Sequence, residues 1–174
     1  MNTNSNGKVY IWSDLHLGHE NIIRYCNRPF KDAAEMNETL LHAWKVTVRS
    51  GDTIINLGDV SLKLSEEYLA EALRLLPGYK ILVMGNHDRR KPVRWWMDVG
   101  FDEVYPYPIV YEGKYILSHT IVDIFKGSPF INIHGHIHNL ESGIPNCINV
   151  SVEKTGYKPV LLDGLVSSLE GKKE

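Results

Sequence analysis

Five short apolar runs in this chain each end abruptly at residues that bind protons or cations. Lys8 to Ser13 (KVYIWS) gives way to Asp14-Leu15-His16, and Thr53 to Leu57 (TIINL) to Gly58-Asp59. Lys80 to Met84 (KILVM) runs into Gly85-Asn86-His87-Asp88, and Lys114 to Leu117 (KYIL) into Ser118-His119. Phe130 to Ile133 (FINI) meets His134-Gly135-His136-Ile137-His138. Runs this short, rich in Ile, Val and Tyr and bounded by Gly, suit interior strands. Their polar ends constrain the fold strongly, because in α/β sheets the C-terminal ends of the strands share one rim where ligands gather.

Between the first three strands the apolar period becomes helical. Asp32-Ala33-Ala34-Glu35 has the form of a capping box, and Met36, Leu40, Leu41, Trp44 and Val48 then recur at helical spacing up to Ser50-Gly51. Ser65-Glu66-Glu67 opens a second helix with Leu69, Ala72, Leu73 and Leu76 on its apolar face, closed by Pro77-Gly78. Pro92 suits the first turn of a third, ending near Gly100. Alternating strands and helices imply right-handed crossovers and a sheet that starts parallel. After residue 100, Tyr107 to Tyr111 and Lys114 to Ser118 read as a hairpin about Glu112-Gly113. Further strands are expected over Asn146 to Val152 and Pro159 to Leu162, and a last short helix over Asp163 to Leu169. The expected class is α/β, with a mixed sheet or a pair of packed sheets flanked by helices.

Composition narrows the function. A length of 174 residues fits one domain, spanning 1–174, and 43% hydrophobic with 23% charged residues argues against a disordered chain. A net charge of -2 means that contact with nucleic acid would need a local basic patch. No apolar run approaches the ~20 residues that span a bilayer. The polar start, Met1 to Gly7, does not read as a signal peptide. Cys26 and Cys147 are too few for a disulfide scaffold and show no metal or redox spacing, so a cytoplasmic protein with free thiols is expected.

The strand ends carry a donor set. Asp14 and His16 are two apart, so on an extended chain both point the same way, and His136 and His138 repeat that spacing. Asp59, Asn86 and His119 add one donor each. Seven groups are too many for one small cation but suit two if a carboxylate bridges. Oxygen and imidazole donors without thiolate favour divalent manganese, iron, zinc, cobalt or nickel. Two such ions roughly 3.5–4 Å apart could activate a bridging hydroxide for in-line attack on phosphorus.

The ordered blocks Asp-x-His, Gly-Asp, Gly-Asn-His-Asp, a lone His and Gly-His-x-His resemble the calcineurin-like metallophosphoesterase superfamily. Ser13 to His19 (SDLHLGH), Asn149 to Val152 (NVSV) and Gly156 to Val160 (GYKPV) are similar to its compact bacterial and phage-type members. The resemblance covers residues 8–165. It implies a four-layer α/β/β/α sandwich of two mixed sheets flanked by helices, with two divalent metals at its rim, manganese first. By the same resemblance Asp14, His16, Asp59 and His138 hold one metal, and Asn86, His119 and His136 hold the second, with Asp59 bridging. His87 would face the substrate as an acid or hydrogen-bond donor, and Asp88 would orient His87. Ser118, where Gly often precedes the lone His, and Val60-Ser61 after Gly-Asp depart from the pattern without removing a donor.

Other residues are weighed against plainer roles. Arg24 and Arg28 could clamp a phosphate, or could make surface ion pairs. His19 is near enough to the first block to touch substrate. His134 is expected to be structural. Arg89, Arg90 and Arg94, with Lys91, Trp95 and Trp96, could track a nucleic acid, or could form a helix whose tryptophans pack inward. The expected activity is hydrolysis of small phosphodiesters or nucleotides. A nuclease or phosphomonoesterase on the same site is the alternative, and a non-catalytic metal-binding scaffold a further one. The short chain leaves little room for a cap domain, so an open site is expected.

Overall fold

Side-chain alternation along the central strands decides the layering. The computed structural model describes residues 7–125 and 127–165. In β1 (Val9–Trp12), Tyr10 and Trp12 join one apolar cluster and Ile11 another. In β2 (Thr53–Asn56) and β3 (Tyr79–Val83), Ile54 and Leu82 join the first cluster, whereas Ile55, Ile81 and Val83 join the second. A strand with apolar residues on both faces must be covered on both, which is why these runs lack a polar stripe.

These strands pair in parallel with β4 (Glu103–Tyr105), and β9 (Val160–Leu161) runs antiparallel along β1, giving the order β4-β3-β2-β1-β9. A second sheet has the order β5-β6-β7-β8, from β5 (Ile109–Tyr111), β6 (Tyr115–Leu117), β7 (Ile131–His134) and β8 (Cys147–Asn149). The expected hairpin is present, with Tyr111 opposite Tyr115, while β6, β7 and β8 are parallel. Leu117, Ile131 and Ile133 meet Ile11, Ile55 and Ile81 between the sheets.

The other face of the first sheet is covered by α1 (Glu20–Tyr25), α2 (Ala33–Thr47), α3 (Glu66–Leu75), α4 (Val93–Val99) and α5 (Val152–Thr155), all of which contribute to one cluster. The molecule is therefore two mixed sheets packed face to face and flanked by helices. On the outer face of the second sheet, Asn132 is buried and accepts from Val122 N–H at 2.9 Å.

Local signals place the starts of α2, α3 and α4 to within a residue. Asp32 accepts from Glu35 N–H at 2.8 Å, and Glu35 reaches back to Lys31 N–H at 2.7 Å, one residue before the position a capping box would use. Ser65 accepts from Tyr68 N–H, and α4 ends at Gly100 with φ 133. Pro92 is the cap of α4 rather than its first helical residue. Among the described residues, no helix is long and apolar enough to cross a membrane. The final helix expected over Asp163 to Leu169 falls largely outside the described residues.

Trp44 anchors α2. It is fully buried, meets Trp12 edge-on at 6.0 Å, and donates from Nε1 to Pro77 O. Trp44→Ala should destabilise the fold by about 3–5 kcal/mol, the usual scale for an aromatic truncated in a core. Urea unfolding followed by circular dichroism would measure this, and a midpoint unchanged from the parent would contradict it.

Candidate metal centre

The rim is built on turns rather than on extended chain. Asp14, His16, Asp59, His136 and His138 have φ of 63, 53, 55, 71 and 51°. Left-handed backbone is uncommon for residues with a Cβ, so the expectation that Asp14/His16 and His136/His138 project alike from extended segments is incorrect. Hydrogen bonds between loops impose the turns. Asp14 N–H donates to Gly58 O at 3.0 Å, His16 N–H to Asp59 O at 2.9 Å, and Leu17 N–H to Val60 O at 3.0 Å.

Each central carboxylate fixes a loop with one oxygen and turns the other inward. Asp14 Oδ2 accepts from His136 N–H at 2.9 Å and Ser151 Oγ at 3.0 Å. Its Oδ1 lies 3.9 Å from both His16 Nε2 and His138 Nε2. Asp59 Oδ1 accepts from His87 N–H at 3.0 Å. Its Oδ2 lies 3.5 Å from His16 Nε2, 3.4 Å from His119 Nε2 and 3.8 Å from His87 Nε2. His119 Nε2 is also 3.0 Å from Asn86 Oδ1 and 3.1 Å from His136 Nδ1, while His119 Nδ1 lies 2.7 Å from Leu57 O. All seven expected donors thus converge, with Asp59 between the two halves. Two glycines make the close approach possible. A Cβ on Gly85 would lie 2.2 Å from Asp59 Oδ1, and one on Gly135 2.2 Å from Asp14 Oδ2.

The chemistry of this set fits a cation. Asp14 Oδ1 and both ring nitrogens of His16 are buried with no hydrogen-bond partner among the described residues, a costly state for polar atoms. Asp14, His16 and His138 form one group of donor atoms within 4.8 Å of one another, and Asp59, His119 and His136 another. Burial raises the Asp59 carboxyl, but its hydrogen bond with His119 and the nearby imidazoles outweigh this and hold its pKa at about 2. Burial lowers His119, yet Asp59 and Asp14 more than compensate and raise it to about 9. His16, more deeply desolvated, is pushed down to about 3.

A support that the sequence did not reveal lies beneath His138. Its Nδ1 is 3.1 Å from Glu153 Oε1 on α5, which leaves Nε2 to face Asp14. Glu153 Oε1 also accepts from Arg28 Nε at 2.9 Å and Nη2 at 2.8 Å. Cys26, unpaired and buried, belongs to a donor group with His138 and Glu153. Nothing in the spacing of residues 28, 138 and 153 signals this arrangement.

Two expectations need correction. Arg28 does not clamp substrate: its side chain is fully buried, and its remaining donors go to Leu15 O and Asp14 O at 2.9 and 2.7 Å. Asp88 does not orient the His87 ring. It is buried and accepts from Asp59 N–H, Gly85 N–H and Val60 N–H at 2.7, 2.8 and 3.1 Å, so it splices the second and third loops together. Burial and the Asp59 charge raise its pKa to about 6 against the pull of those three donors.

The remaining candidates are spread around the rim. The His87 side chain is 26% exposed and borders the cluster. The His19 ring stands 5.4 Å from that of His16 and 6.4 Å from that of His87. Arg24 is exposed in the last turn of α1. His134 ends β7 on the face away from Ile133 and is buried there. Trp96 packs inward and donates to Asp88 O at 3.0 Å, Arg94 pairs with Asp98 on the surface, and Arg89 donates to Pro106 O.

Carboxylates and imidazoles gathered at the strand ends of a two-sheet α/β fold define a class of metal-binding phosphoesterases, and the sequence agrees. The calcineurin-like phosphoesterase family model matches residues 7–165, and the chain belongs to that family. Membership implies metal-dependent phosphoester hydrolysis. The chain is 39% identical over 177 residues to the uncharacterized protein MJ1445 of Methanocaldococcus jannaschii, covering 94% of this chain and 92% of that one. It is 37% identical over 88 residues to the gene 66 protein of Mycobacterium phage L5, 49% of this chain and 42% of that protein. A crystal structure of the Aquifex aeolicus protein AQ665, described as of unknown function, is similar with a TM-score of 0.72 and 30% identity, over 93% of this chain and 99% of that one.

Because Arg28 joins the loop after β1 to Glu153, Arg28→Ala should act on stability first. The loss should be about 3–5 kcal/mol, the scale for removing one partner of a buried ion pair. Thermal or chemical unfolding would measure it, and a variant of parental stability would count against this role.

Proposed function

We propose that this protein is a dinuclear metal phosphodiesterase acting on small phosphodiesters or nucleotides. The observation that carries the reading is the pair of inward-facing carboxylate oxygens, Asp14 Oδ1 and Asp59 Oδ2, each ringed by imidazole nitrogens. Asp14, His16, Asp59 and His138 would hold one divalent ion, and Asp59, Asn86, His119 and His136 a second. Manganese is favoured among ions that accept this mixture of oxygen and nitrogen. When bound, such ions lower the pKa of water and neutralise charge developing on phosphoryl oxygens.

The protein's own groups supply the rest. Asp59, held by His87 N–H, fixes the spacing between the halves of the site. With metal bound, Glu153 would keep the remaining proton of His138 on Nδ1 and its Nε2 lone pair toward the site, and Leu57 O would do the same for His119. His87 is the proton donor to the leaving oxygen, since its ring borders the cluster and reaches solvent. Asn86 and His136 are exposed, so the rim is open on that side, in keeping with diesters whose two arms both need room. The two free cysteines are in keeping with a reducing, cytoplasmic setting.

Two variants test this reading. Asp59→Asn should lose metal from both halves and abolish turnover, measured by elemental analysis and by hydrolysis of bis(4-nitrophenyl) phosphate; parental activity would overturn the bridging role. His87→Ala should retain its metal while turnover falls by roughly 10²–10⁴-fold, the scale of a positioned acid. Loss of metal in that variant would place His87 among the ligands instead.

A further inference from the structure

Resting on the phosphoesterase reading above, we propose that the cavity beside His87, edged by Lys63, Arg90 and Lys91, binds a second phosphate carried by the substrate's leaving group. The substrate class is then a phosphoester whose departing half is itself phosphorylated.

Size, charge and position support this. The cavity has a volume of about 170 Å³. Pockets for whole small molecules run to roughly 300–1,000 Å³, so this one takes a single group rather than an entire ligand. Three cationic side chains border it against one carboxylate, Glu66, which accepts from Trp95 Nε1 at 2.6 Å. The net charge of its lining favours an anion, and all three cations are exposed.

The wall of the cavity is fixed. Lys91 Nζ stands 4.7 Å from the centre of the Trp95 ring, and Trp95 meets buried Trp96 edge-on at 4.9 Å. Trp96 in turn donates to Asp88 O, and the Asp88 side chain holds the Asp59 turn. The cavity and the reacting centre are thus registered through one residue.

Chain geometry separates neighbouring arginines. In the 3-10 turn Asp88–Arg90, Arg89 leaves toward Pro106 O and the Tyr107 ring, while Arg90 faces the cavity. His87 belongs to both places, lining the cavity and standing 3.8 Å from Asp59 Oδ2. In hydrolysis the bond from phosphorus to the leaving oxygen breaks, water oxygen joins phosphorus and gives up a proton to solvent, and the leaving oxygen takes a proton from His87, which solvent then restores. The departing half therefore lies on the His87 side, where the cations are.

Calorimetric titration of the manganese-loaded protein tests this without turnover. Thymidine bisphosphate, pyrophosphate and a short oligothymidylate would each be compared with thymidine monophosphate. At least one of the first three should bind about tenfold more tightly than the monophosphate. Which one does so separates nucleotide, anhydride and strand as the source of the second phosphate. The combined variant Lys63→Ala, Arg90→Ala, Lys91→Ala should reduce that ratio to near one, whereas Arg94→Ala should preserve it. Parity in the parent protein, or an advantage that survives the triple variant, overturns the proposal. An active enzyme showing parity sinks this inference alone, and an inactive protein showing the ratio sinks the hydrolase reading alone.

Discussion

The site depends on carboxylates that act with both oxygens. An ionised carboxylate is expensive to bury, and the expense falls when its oxygens find donors. Asp14 and Asp59 meet this condition only by half among protein groups. One oxygen of each closes a backbone contact to a distant loop, at His136 and at His87. The other faces imidazoles. The same carboxylates that hold the loops together therefore aim their second oxygens at the imidazoles.

Backbone conformation follows from this. Five of the seven donors sit at positive φ. Such residues cost of order 1–3 kcal/mol each when the conformation is strained, and persist where the surroundings over-determine them. Here the surroundings do so, since the loop after β1 lies along the loop after β2 through four backbone hydrogen bonds, and Asp88 ties the loop after β2 to the loop after β3. The parallel sheet supplies the alignment. Ile11, Ile55 and Ile81 are in register across β1, β2 and β3, so the three loops leave the sheet side by side.

Much of this was legible in the sequence, and what was not has physical causes. The fully buried strands announce themselves by unbroken apolar runs, and α2 and α3 by period and caps. The residues that end each strand gave the donor set. β4 was not foreseen, because Glu103-Val104-Tyr105 is three residues long and half-buried, with no run to distinguish it from a loop. α1 is only six residues with two buried isoleucines, too short for periodicity. The extended geometry assumed for Asp14 and His16 failed because residue spacing alone does not reveal a turn imposed by a loop 44 residues away. Asp88 was misread for a related reason. Its adjacency to His87 in sequence suggested a partnership, whereas its oxygens reach backward to residues 59, 60 and 85.

Arg28 and Glu153 show why such long-range pairs carry meaning even without a net gain in stability. A buried ion pair often stabilises a fold no more than apolar groups of similar shape would. Its value lies in direction. Arg28 joins carbonyls of residues 14 and 15 to a carboxylate on α5, and that carboxylate holds His138 at Nδ1. An apolar replacement could fill the same volume but could not hold an imidazole in one orientation. The arginine that looked like a phosphate clamp is instead buried beneath the donor cluster. It connects the loop after β1 to α5, so that His138 is held at Nδ1 with its Nε2 directed toward Asp14.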